Sequence, residues 1–427
     1  MSSNPDNIVQ DKRHSSLGAF RHRDFAVFWT AAAISNGGSW MQLVAVPALL
    51  YDMTGSSTWL GVSSMAGLLP AVLLTPYAGV LADRMSRRKI LLYTQSLQML
   101  CAFILWTLYL TGSLRPMLIV SIGLVGGVAT GFQTSAWQSY VPLLVPPEEL
   151  LDAVKLNSVQ FTLARAIGPG LAGLVISTLG TGAAIFINAV TYLLVISALF
   201  IARPKQVIAP ASAGKVRDVI RFGGAFVWRN RPLRIAVFLA FLTSLCGQSL
   251  QHIAPAIAVR IFDRPSTDNA GLLVALGLGA VTSSFFSVAI GDRIQRSTRL
   301  LVALVLYSIS TMLIPITSLY WVGLVAYFIG GMASLQSAVA LNTLIQGTVP
   351  DHLRGRALSF YVLGILAGIP LGAFTLGRLA DVFTMRVALF GDATVLLLAV
   401  IILISRGWLY DLNATKIDDV QITNTST

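Results

Sequence analysis

Apolar runs of about 20 residues recur along the whole chain, and a helix of that length crosses a hydrocarbon core of about 30 Å. The apolar residues in these runs are continuous rather than alternating, which favours helices over the strands of a transmembrane barrel. Of the 427 residues, 55% are hydrophobic and 11% are charged. Soluble domains carry roughly 25% charged residues. The sequence therefore predicts an all-α integral membrane protein in a lipid bilayer.

Twelve membrane spans are predicted, and the longest connection divides them into two halves of six. The spans cover residues 25–51, 57–82, 90–111, 115–144, 157–179, 182–202, 233–260, 269–290, 299–317, 320–347, 357–378 and 387–405. The predicted organisation is a tail at 1–24, a first half at 25–202, a linker at 203–232, a second half at 233–405 and a tail at 406–427. The linker is basic and partly amphipathic, and a solvated connector is favoured over a helix on the membrane surface.

Positive charge is distributed unevenly between the two sides that these spans define. Of the 30 Lys and Arg residues, 24 fall in the two tails and in the connections on the same side. Five fall on the opposite side, and Arg165 lies within a span. Because Lys and Arg are enriched in cytoplasmic loops, both termini are predicted to be cytoplasmic. The formal net charge of +12 thus reflects topology, and no nucleic-acid partner is predicted.

Several classes of site lack their sequence signatures. Cys101 and Cys246 both lie in apolar runs, and no residues have metal-ligand spacing, so neither a disulfide nor a metal or cofactor site is predicted. No segment has the form G-x-x-x-x-G-K-[ST], which argues against direct use of ATP. The four His residues are scattered, which disfavours an enzyme, and the polar tails are short for a signalling protein with a soluble domain. No cleavable signal peptide is expected, because the first twenty residues are polar.

Two weak echoes indicate that the halves are internal repeats. GVLADRMSRRKILL at 79–92 resembles VAIGDRIQRSTRLL at 288–301. VPPEELLDAVKLNS at 145–158 resembles VPDHLRGRALSF at 349–360. The two pairs occupy matching connections in the same order, as expected of a chain built from two repeated halves.

The stretch GVLADRMSRRKILL also resembles the loop motif G-x-L-A-D-R-x-G-R-R between the second and third helices of the major facilitator superfamily. Gly79, Asp83, Arg84 and Arg88 match it, and Ser86 replaces its second glycine. The resemblance extends over about residues 20–405. It implies a monomeric secondary transporter with a small-molecule substrate, in the bacterial cytoplasmic membrane.

This resemblance also implies a role for the acidic residue of the loop motif. In the family, the acid contacts the start of the eleventh helix, here 355–358, and closes the cytoplasmic side. A role in topology alone stays open for the basic residues. Three stretches are similar to the branch that contains enterobactin-type siderophore exporters and macrolide efflux pumps. They are FRHRDFAVFWTAAAISNGGSWMQLVAVPALLYDMTGS, VPPEELLDAVKLNS and ARAIGPGLAG.

Polar residues on the first, fourth, seventh and tenth spans are candidates for a substrate cavity, which these helices line in the superfamily. Residues of each set share one helical face. They are Ser39, Gln42, Gln133, Trp137, Gln248, Gln251, His252, Asn342 and Gln346. For each residue taken singly, a hydrogen bond between helices is a better explanation than substrate binding. Their occurrence on all four helices favours a polar binding chamber.

The fifth span carries a charge and a glycine-rich motif. A charge at a helix centre costs about 2.5–3.5 kcal/mol, so Arg165 is predicted to face the protein interior. Substrate binding or gating and a structural role are both retained for it, and no carboxylate is expected at its depth. Gly168, Pro169 and Gly173 resemble the antiporter signature G-P-x-x-G-G, with Ala172 replacing one glycine. In the family this signature accompanies exporters.

Proton coupling needs a group that titrates during transport. Imidazole titrates near pH 6.5, so His252 is one candidate. Asp24, Asp52 and Asp392, expected near span ends, are the others. The predicted function is export of a small amphipathic or anionic compound, of the siderophore or drug class, by proton antiport. The alternative is an importer of a small nutrient or metabolite, which the missing sugar-type signature P-E-S-P-R disfavours.

Overall fold

A computed structural model describes residues 18–202, 204, 224–290 and 294–408. In these ranges twelve long helices follow one another along the chain. They are α1 Arg23–Thr54, α2 Ser57–Arg84, α3 Arg87–Leu110, α4 Pro116–Tyr140, α5 Leu150–Leu179, α6 Thr181–Ile201, α7 Arg231–Phe262, α8 Asn269–Ile290, α9 Arg296–Ile316, α10 Tyr320–Thr348, α11 Asp351–Val382 and α12 Met385–Ser405. Residues 203 and 205–223 of the predicted linker lie outside the described residues.

Eleven of the twelve helices are long and apolar enough to cross a membrane by composition alone, and α1 is the exception. With 32 residues α1 has sufficient length, but the stretch SNGGSW at 35–40 lowers its hydropathy. Several helices extend beyond the predicted spans. For example, α5 begins at Leu150 and α11 at Asp351, because their first turns continue into polar connections.

Local turn chemistry sets several helix ends. Gly55 ends α1 with a φ of 59°, and its N–H donates to the Tyr51 carbonyl oxygen at 2.7 Å. Glycine suits this left-handed cap because it lacks a Cβ atom. Pro116 begins α4, where its missing N–H costs no helical hydrogen bond. Thr384 caps α12 by accepting a hydrogen bond from the Val387 N–H at 3.2 Å.

The two halves meet along two helix pairs, α2 with α11 and α5 with α8. Small residues permit the close approach. A methyl group at Gly61 of α2 would lie 2.5 Å from the Phe374 Cα of α11. One at Gly277 of α8 would lie 2.7 Å from the Ala166 Cα of α5. Such contacts replace the hydrophobic effect as the force that holds helices together in lipid.

The buried apolar clusters differ between the two ends of the bundle. We call the end where α1 begins and α12 ends the tail side, and the opposite end the far side. On the far side one cluster joins both halves and includes Leu50, Leu60 and Ile257. On the tail side the described residues form separate clusters, one around Tyr140 in the first half and one around Leu344 in the second. The halves are therefore packed together on the far side and apart on the tail side.

Candidate functional site

An ion pair on the far side connects the two halves. Arg260, near the end of α7, places Nη2 2.8 Å from Oδ1 of Asp381, near the end of α11. The same guanidinium donates from Nε to the Tyr51 hydroxyl at 2.9 Å and from Nη2 to the Gly55 carbonyl oxygen at 2.7 Å. Tyr51 and Gly55 belong to the first half. Arg260 of the second half is thus bound to the end of α1.

The Asp381 carboxylate in turn binds the first turn of α2. Its Oδ1 accepts from the Ser57 N–H at 3.0 Å, and its Oδ2 accepts from the Thr58 N–H at 2.8 Å and the Ser56 hydroxyl at 2.6 Å. The unpaired N–H groups and the dipole of a helix N-terminus favour such an anion. We call Tyr51, Ser56, Ser57, Thr58, Arg260 and Asp381 the far-side lock.

Asp381 was not among the candidate residues, although the chain contains a signal for it. The segment Gly377–Asp381 has the form G-x-L-A-D, as does Gly79–Asp83 in the loop motif. The first segment lies near the far-side end of α11 and the second near the tail-side end of α2. Gly377 packs directly against the Ser57 backbone. The kind of contact that the family resemblance implies for Asp83 is therefore found at Asp381, on the opposite side of the bundle.

Of the loop-motif residues, only Arg88 has a described side chain; those of Gly79, Asp83 and Arg84 lie outside the described residues. Arg88 Nε donates to the Leu199 carbonyl oxygen at 2.5 Å, and its guanidinium lies 5.5 Å from the centroid of the Phe200 ring. Both partners belong to α6. Arg88 therefore connects α3 to α6 within the first half.

A polar pocket of about 290 Å³ lies inside the first half, among α1, α2, α3, α4 and α6, with His252 of α7 at its edge. Its polar lining consists of Ser39, Gln42, Ser63, Ser64, Gln98, Thr130, Asn188, Tyr192 and His252. Asn188 Nδ2 donates to Gln42 Oε1 at 2.5 Å, and Gln98 Nε2 donates to Thr130 Oγ1 at 3.0 Å. Leucine and isoleucine side chains complete the wall. The pocket can thus offer hydrogen bonds and apolar surface to one molecule.

Arg165 extends from α5 of the first half toward the second half. It lines a cavity of about 10 Å³ together with Gln248 and Gln251 of α7, Tyr307 of α9 and Ser334 of α10. Such a volume holds about one water molecule. Among the described residues, Arg165 Nε is buried without a hydrogen-bond partner. A guanidinium donor is thus available at the boundary between the halves.

The predicted cavity residues are distributed over three places. Ser39, Gln42 and His252 line the polar pocket, whereas Gln248 and Gln251 lie beside Arg165. Gln251 Nε2 is 3.4 Å from His252 Nε2, so the two sites adjoin. The remaining four line neither cavity and lie nearer the tail side; they are Gln133, Trp137, Asn342 and Gln346.

Three of those four tail-side residues contact partners within their own half. Trp137 Nε1 donates to Asn157 Oδ1 at 3.4 Å. Gln346 hydrogen-bonds Asn342 one turn away on α10. Gln133 keeps a buried Oε1 without a partner among the described residues. The four helices predicted to share one chamber therefore contribute to it unequally.

The glycine-rich motif of α5 faces two different helices. A methyl group at Gly168 would overlap the Trp40 side chain of α1, and one at Gly173 would lie 3.1 Å from the Ala270 Cβ of α8. The helix continues through Pro169. The motif thus lets α5 pack against its own half on one face and against the other half on the next.

The coupling candidates occupy different depths. Asp24 lies in the first turn of α1, and Asp52 is exposed near the end of that helix. His252 is buried at the pocket edge. The expectation that Asp392 lies near a span end was wrong. It lies seven residues after Met385 in a helix of 21 residues, roughly 10 Å along its axis, because α12 begins before the predicted span. A carboxylate therefore does occur well inside a span.

Comparisons with known proteins agree on the class of protein. The profile of the family described as transmembrane secretion effector matches residues 14–423. The multidrug efflux pump Tap of Mycolicibacterium fortuitum is 25% identical over 82% of the chain and 88% of its own length. The staphyloferrin A transporter of Staphylococcus aureus is 21% identical over 89% of the chain and 96% of its own length. The enterobactin exporter EntS of Salmonella typhi is 24% identical over 85% of the chain and 87% of its own length.

Solved structures show the same fold. A mutant of the nucleoside transporter NupG superposes with a TM-score of 0.77 at 10% identity, over 90% of the chain and 99% of its own. A bacterial homologue of the human lysosomal transporter Spinster, solved in an inward-facing and occupied conformation, superposes with a TM-score of 0.69 at 13% identity. The match covers 92% of the chain and 98% of the homologue. At these identities the match establishes the fold alone. The predicted all-α fold of membrane-spanning helices is confirmed.

Proposed function

Because the chain belongs to the transmembrane secretion effector family, a group of membrane transporters within the major facilitator superfamily, we propose that it exports a small amphipathic or anionic compound. The names of its relatives support this direction of transport, since they include drug efflux pumps and siderophore exporters. The proposed mechanism is alternating access, in which the two halves open first on one side of the membrane and then on the other, driven by proton antiport.

The far-side lock is the observation that carries this proposal. It joins the halves on one side through partly buried charges, while the described residues form separate apolar clusters on the other. Because Asp381 and Arg260 bind the ends of helices from the other half, opening the far side must break these contacts. The closed far side supports the assignment of this structure to one of the two states that alternating access would require.

The second state follows from the repeated G-x-L-A-D segment. α2 and α11 run in opposite directions, and each carries this segment near its C-terminal end. Asp381 caps α2 on the far side. By the same geometry, Asp83 would cap the start of α11 on the tail side once the far side has opened. The two acids then form alternate locks, of which one is made at a time.

The tail side is proposed to be cytoplasmic. In the sequence, 24 of the 30 basic residues fall in the two tails and in the connections predicted on the same side, and cytoplasmic loops are enriched in Lys and Arg. With the far side locked, a substrate would enter the polar pocket from the cytoplasm of a bacterial cell. The protein would work there as a monomer, since one chain supplies both halves.

The pocket and Arg165 support the proposed substrate class. The pocket has amide and hydroxyl groups beside aliphatic walls, which suits an amphipathic molecule. Arg165 adds a cation at the boundary of the halves, and its Nε has no partner among the described residues. An anionic group on the substrate would supply that partner. His252 and Gln251 lie between the pocket and Arg165.

Efflux from cells that overproduce the protein and lack their own pumps tests the proposal. The probes are erythromycin, a catecholate siderophore and a neutral drug. We expect at least one probe to accumulate less than in cells with empty vector, and collapse of the proton gradient to abolish the difference. Asp381→Asn should lose this efflux. Asp268→Asn is the matched control, because Arg264 Nε lies 3.7 Å from Asp268 Oδ2 within one half.

Two results would contradict the proposal. If the protein instead raises the cellular content of a probe, the direction is import, as in the alternative of a nutrient importer. If neither Asp381→Asn nor Asp83→Asn alters efflux, the alternate locks have no role in the cycle.

A further inference from the structure

A carboxyl group lies inside the second half of the bundle, away from the polar pocket. Asp392 is on α12, and its Oδ2 is buried without a hydrogen-bond partner among the described residues. Leu396, one turn further along α12, belongs to a buried apolar cluster that also contains Leu242, Ala333 and Ala399. An ionised carboxylate is costly in such surroundings, and acidic residues inside membrane spans mark ion and proton paths.

Two titratable groups face Asp392 from the neighbouring helices. Cys246 of α7 and Tyr307 of α9 belong to the same buried cluster as Leu396 of α12, and both are within electrostatic reach of the carboxyl group. The third helix packed against α12 is α11, whose described charged residues lie near its two ends. Its Tyr361 hydroxyl donates to the Ala338 carbonyl oxygen at 3.2 Å. The immediate environment of Asp392 is therefore neutral.

Cys246 belongs to an irregular part of α7. Residues Ser244–Gln248 form a π-helical turn, in which the Ser249 N–H donates to the Ser244 carbonyl oxygen at 3.1 Å. Such turns occur mostly singly within α-helices and often at functional sites. The turn includes Cys246 and places Gly247 directly against the Tyr307 ring.

Tyr307 connects this group to the other half of the protein. It lines the small cavity with Arg165, and it interacts electrostatically with both Arg165 and Asp392. Arg165 is carried by α5 of the first half and therefore changes its position relative to Tyr307 when the halves move. A change of charge at Asp392 is thus transmitted to a contact that depends on the conformational state.

We propose that Asp392 is the proton-binding site of the transport cycle. This inference rests on the proposed proton-coupled export. One proton enters from the far side and binds the carboxylate, which becomes a neutral carboxylic acid. It leaves toward the tail side as substrate moves in the opposite direction, and the carboxylate is restored. Loss of the negative charge beside Tyr307 alters the field at Arg165 and thereby the relative stability of the two states.

Infrared difference spectroscopy of the purified protein, titrated from acidic to alkaline pH, tests the site without any substrate. We expect the carbonyl stretching band of a buried carboxylic acid to appear as the pH falls. Asp392→Asn should abolish the band, Asp392→Glu should shift and retain it, and His252→Gln should leave it unchanged. Melting curves of the variants show whether they remain folded. A band that survives in Asp392→Asn, or none in the wild type, would overturn the assignment.

Transport in proteoliposomes supplies the functional half of the test, with erythromycin as the probe. We expect Asp392→Asn to lose efflux driven by a pH gradient while it keeps exchange of labelled for unlabelled erythromycin, because exchange needs no net proton movement. The reverse loss of exchange alone would contradict the role in coupling. If the wild type transports no erythromycin at all, the proposed export of this probe fails, whereas the infrared titration still decides whether Asp392 binds a proton.

Discussion

Replacing Asp381 by asparagine should destabilise the far-closed state without changing the shape of the side chain. The carboxylate serves one ion pair and three hydrogen bonds, at both of its oxygens. Asparagine keeps one of these two oxygens. Its NH2 group replaces the other and cannot accept the hydrogen bonds that were donated there. A hydrogen bond to a charged group contributes about 1.5–3 kcal/mol, and the side chains of Arg260 and Asp381 are 28% and 16% exposed. We therefore expect a loss of about 2 kcal/mol, near the lower end of that range.

A loss of about 2 kcal/mol changes the ratio of far-closed to far-open molecules by about 30-fold. Pulsed electron resonance can measure this shift with spin labels at Leu110 and Leu319. Both residues are exposed on the far side, one in each half. The labels are placed in a background that lacks the two native cysteines. We expect Asp381→Asn to add a longer distance that is weak or missing in the unsubstituted protein.

The double substitution Arg260→Gln with Asp381→Asn measures the coupling between the two charges. If they form one lock, the double variant shifts the distance distribution by less than the sum of the single variants. Asp268→Asn, in an ion pair confined to the second half, should leave the distribution unchanged. An unchanged distribution in Asp381→Asn, or an equal shift in the control, would refute the role assigned to the lock.

Three further predictions concern packing, the pocket and Arg165. Gly61→Ala should lower the melting temperature, since overpacking of a tight contact typically costs about 1–3 kcal/mol, whereas Gly67→Ala, which meets open space, should not. Gln42→Leu should raise the KM for a transported probe about tenfold, because it leaves the Asn188 amide unpaired in the pocket. Gln133→Leu, outside the pocket, should leave the KM unchanged, and equal KM values in the two variants would count against the pocket. Arg165→Gln should reduce transport of anionic probes more than that of neutral ones, and equal losses in paired efflux assays would indicate a structural role.

The membrane class and the helix count could be predicted because they depend on local composition. In lipid every backbone polar group must be satisfied within the segment, so an apolar run of sufficient length becomes a helix. The first helix shows the limit of that rule. Its stretch SNGGSW lowers its hydropathy below that of the other spans, yet the neighbouring helices hold it in the bundle. The span was predicted at 25–51 from its apolar residues, although its mean hydropathy falls below that of the other helices.

The candidate site was only partly predictable. Ser39, Gln42 and His252 line the pocket, but so do Asn188 and Tyr192 of α6, which were not among the candidates. The pocket extends between helices of one half, and a single sequence does not specify how far such helices separate. Asp392 was named as a coupling candidate but placed too near a span end, because the start of α12 at Met385 was not apparent from the apolar run.

The sequence by itself determined that this chain crosses a membrane many times as helices in two related halves, and the resemblance of its loop motif indicated a transporter. These properties reside in short segments, because hydropathy and helix length act locally. Only the tertiary structure decided which charges meet. Asp381 lies 324 positions from Ser57, whose N–H it accepts, and an acid at a helix end has no membrane penalty that would single it out. Its partner is determined by the packing of α2 against α11, and therefore by the relative position of the two halves.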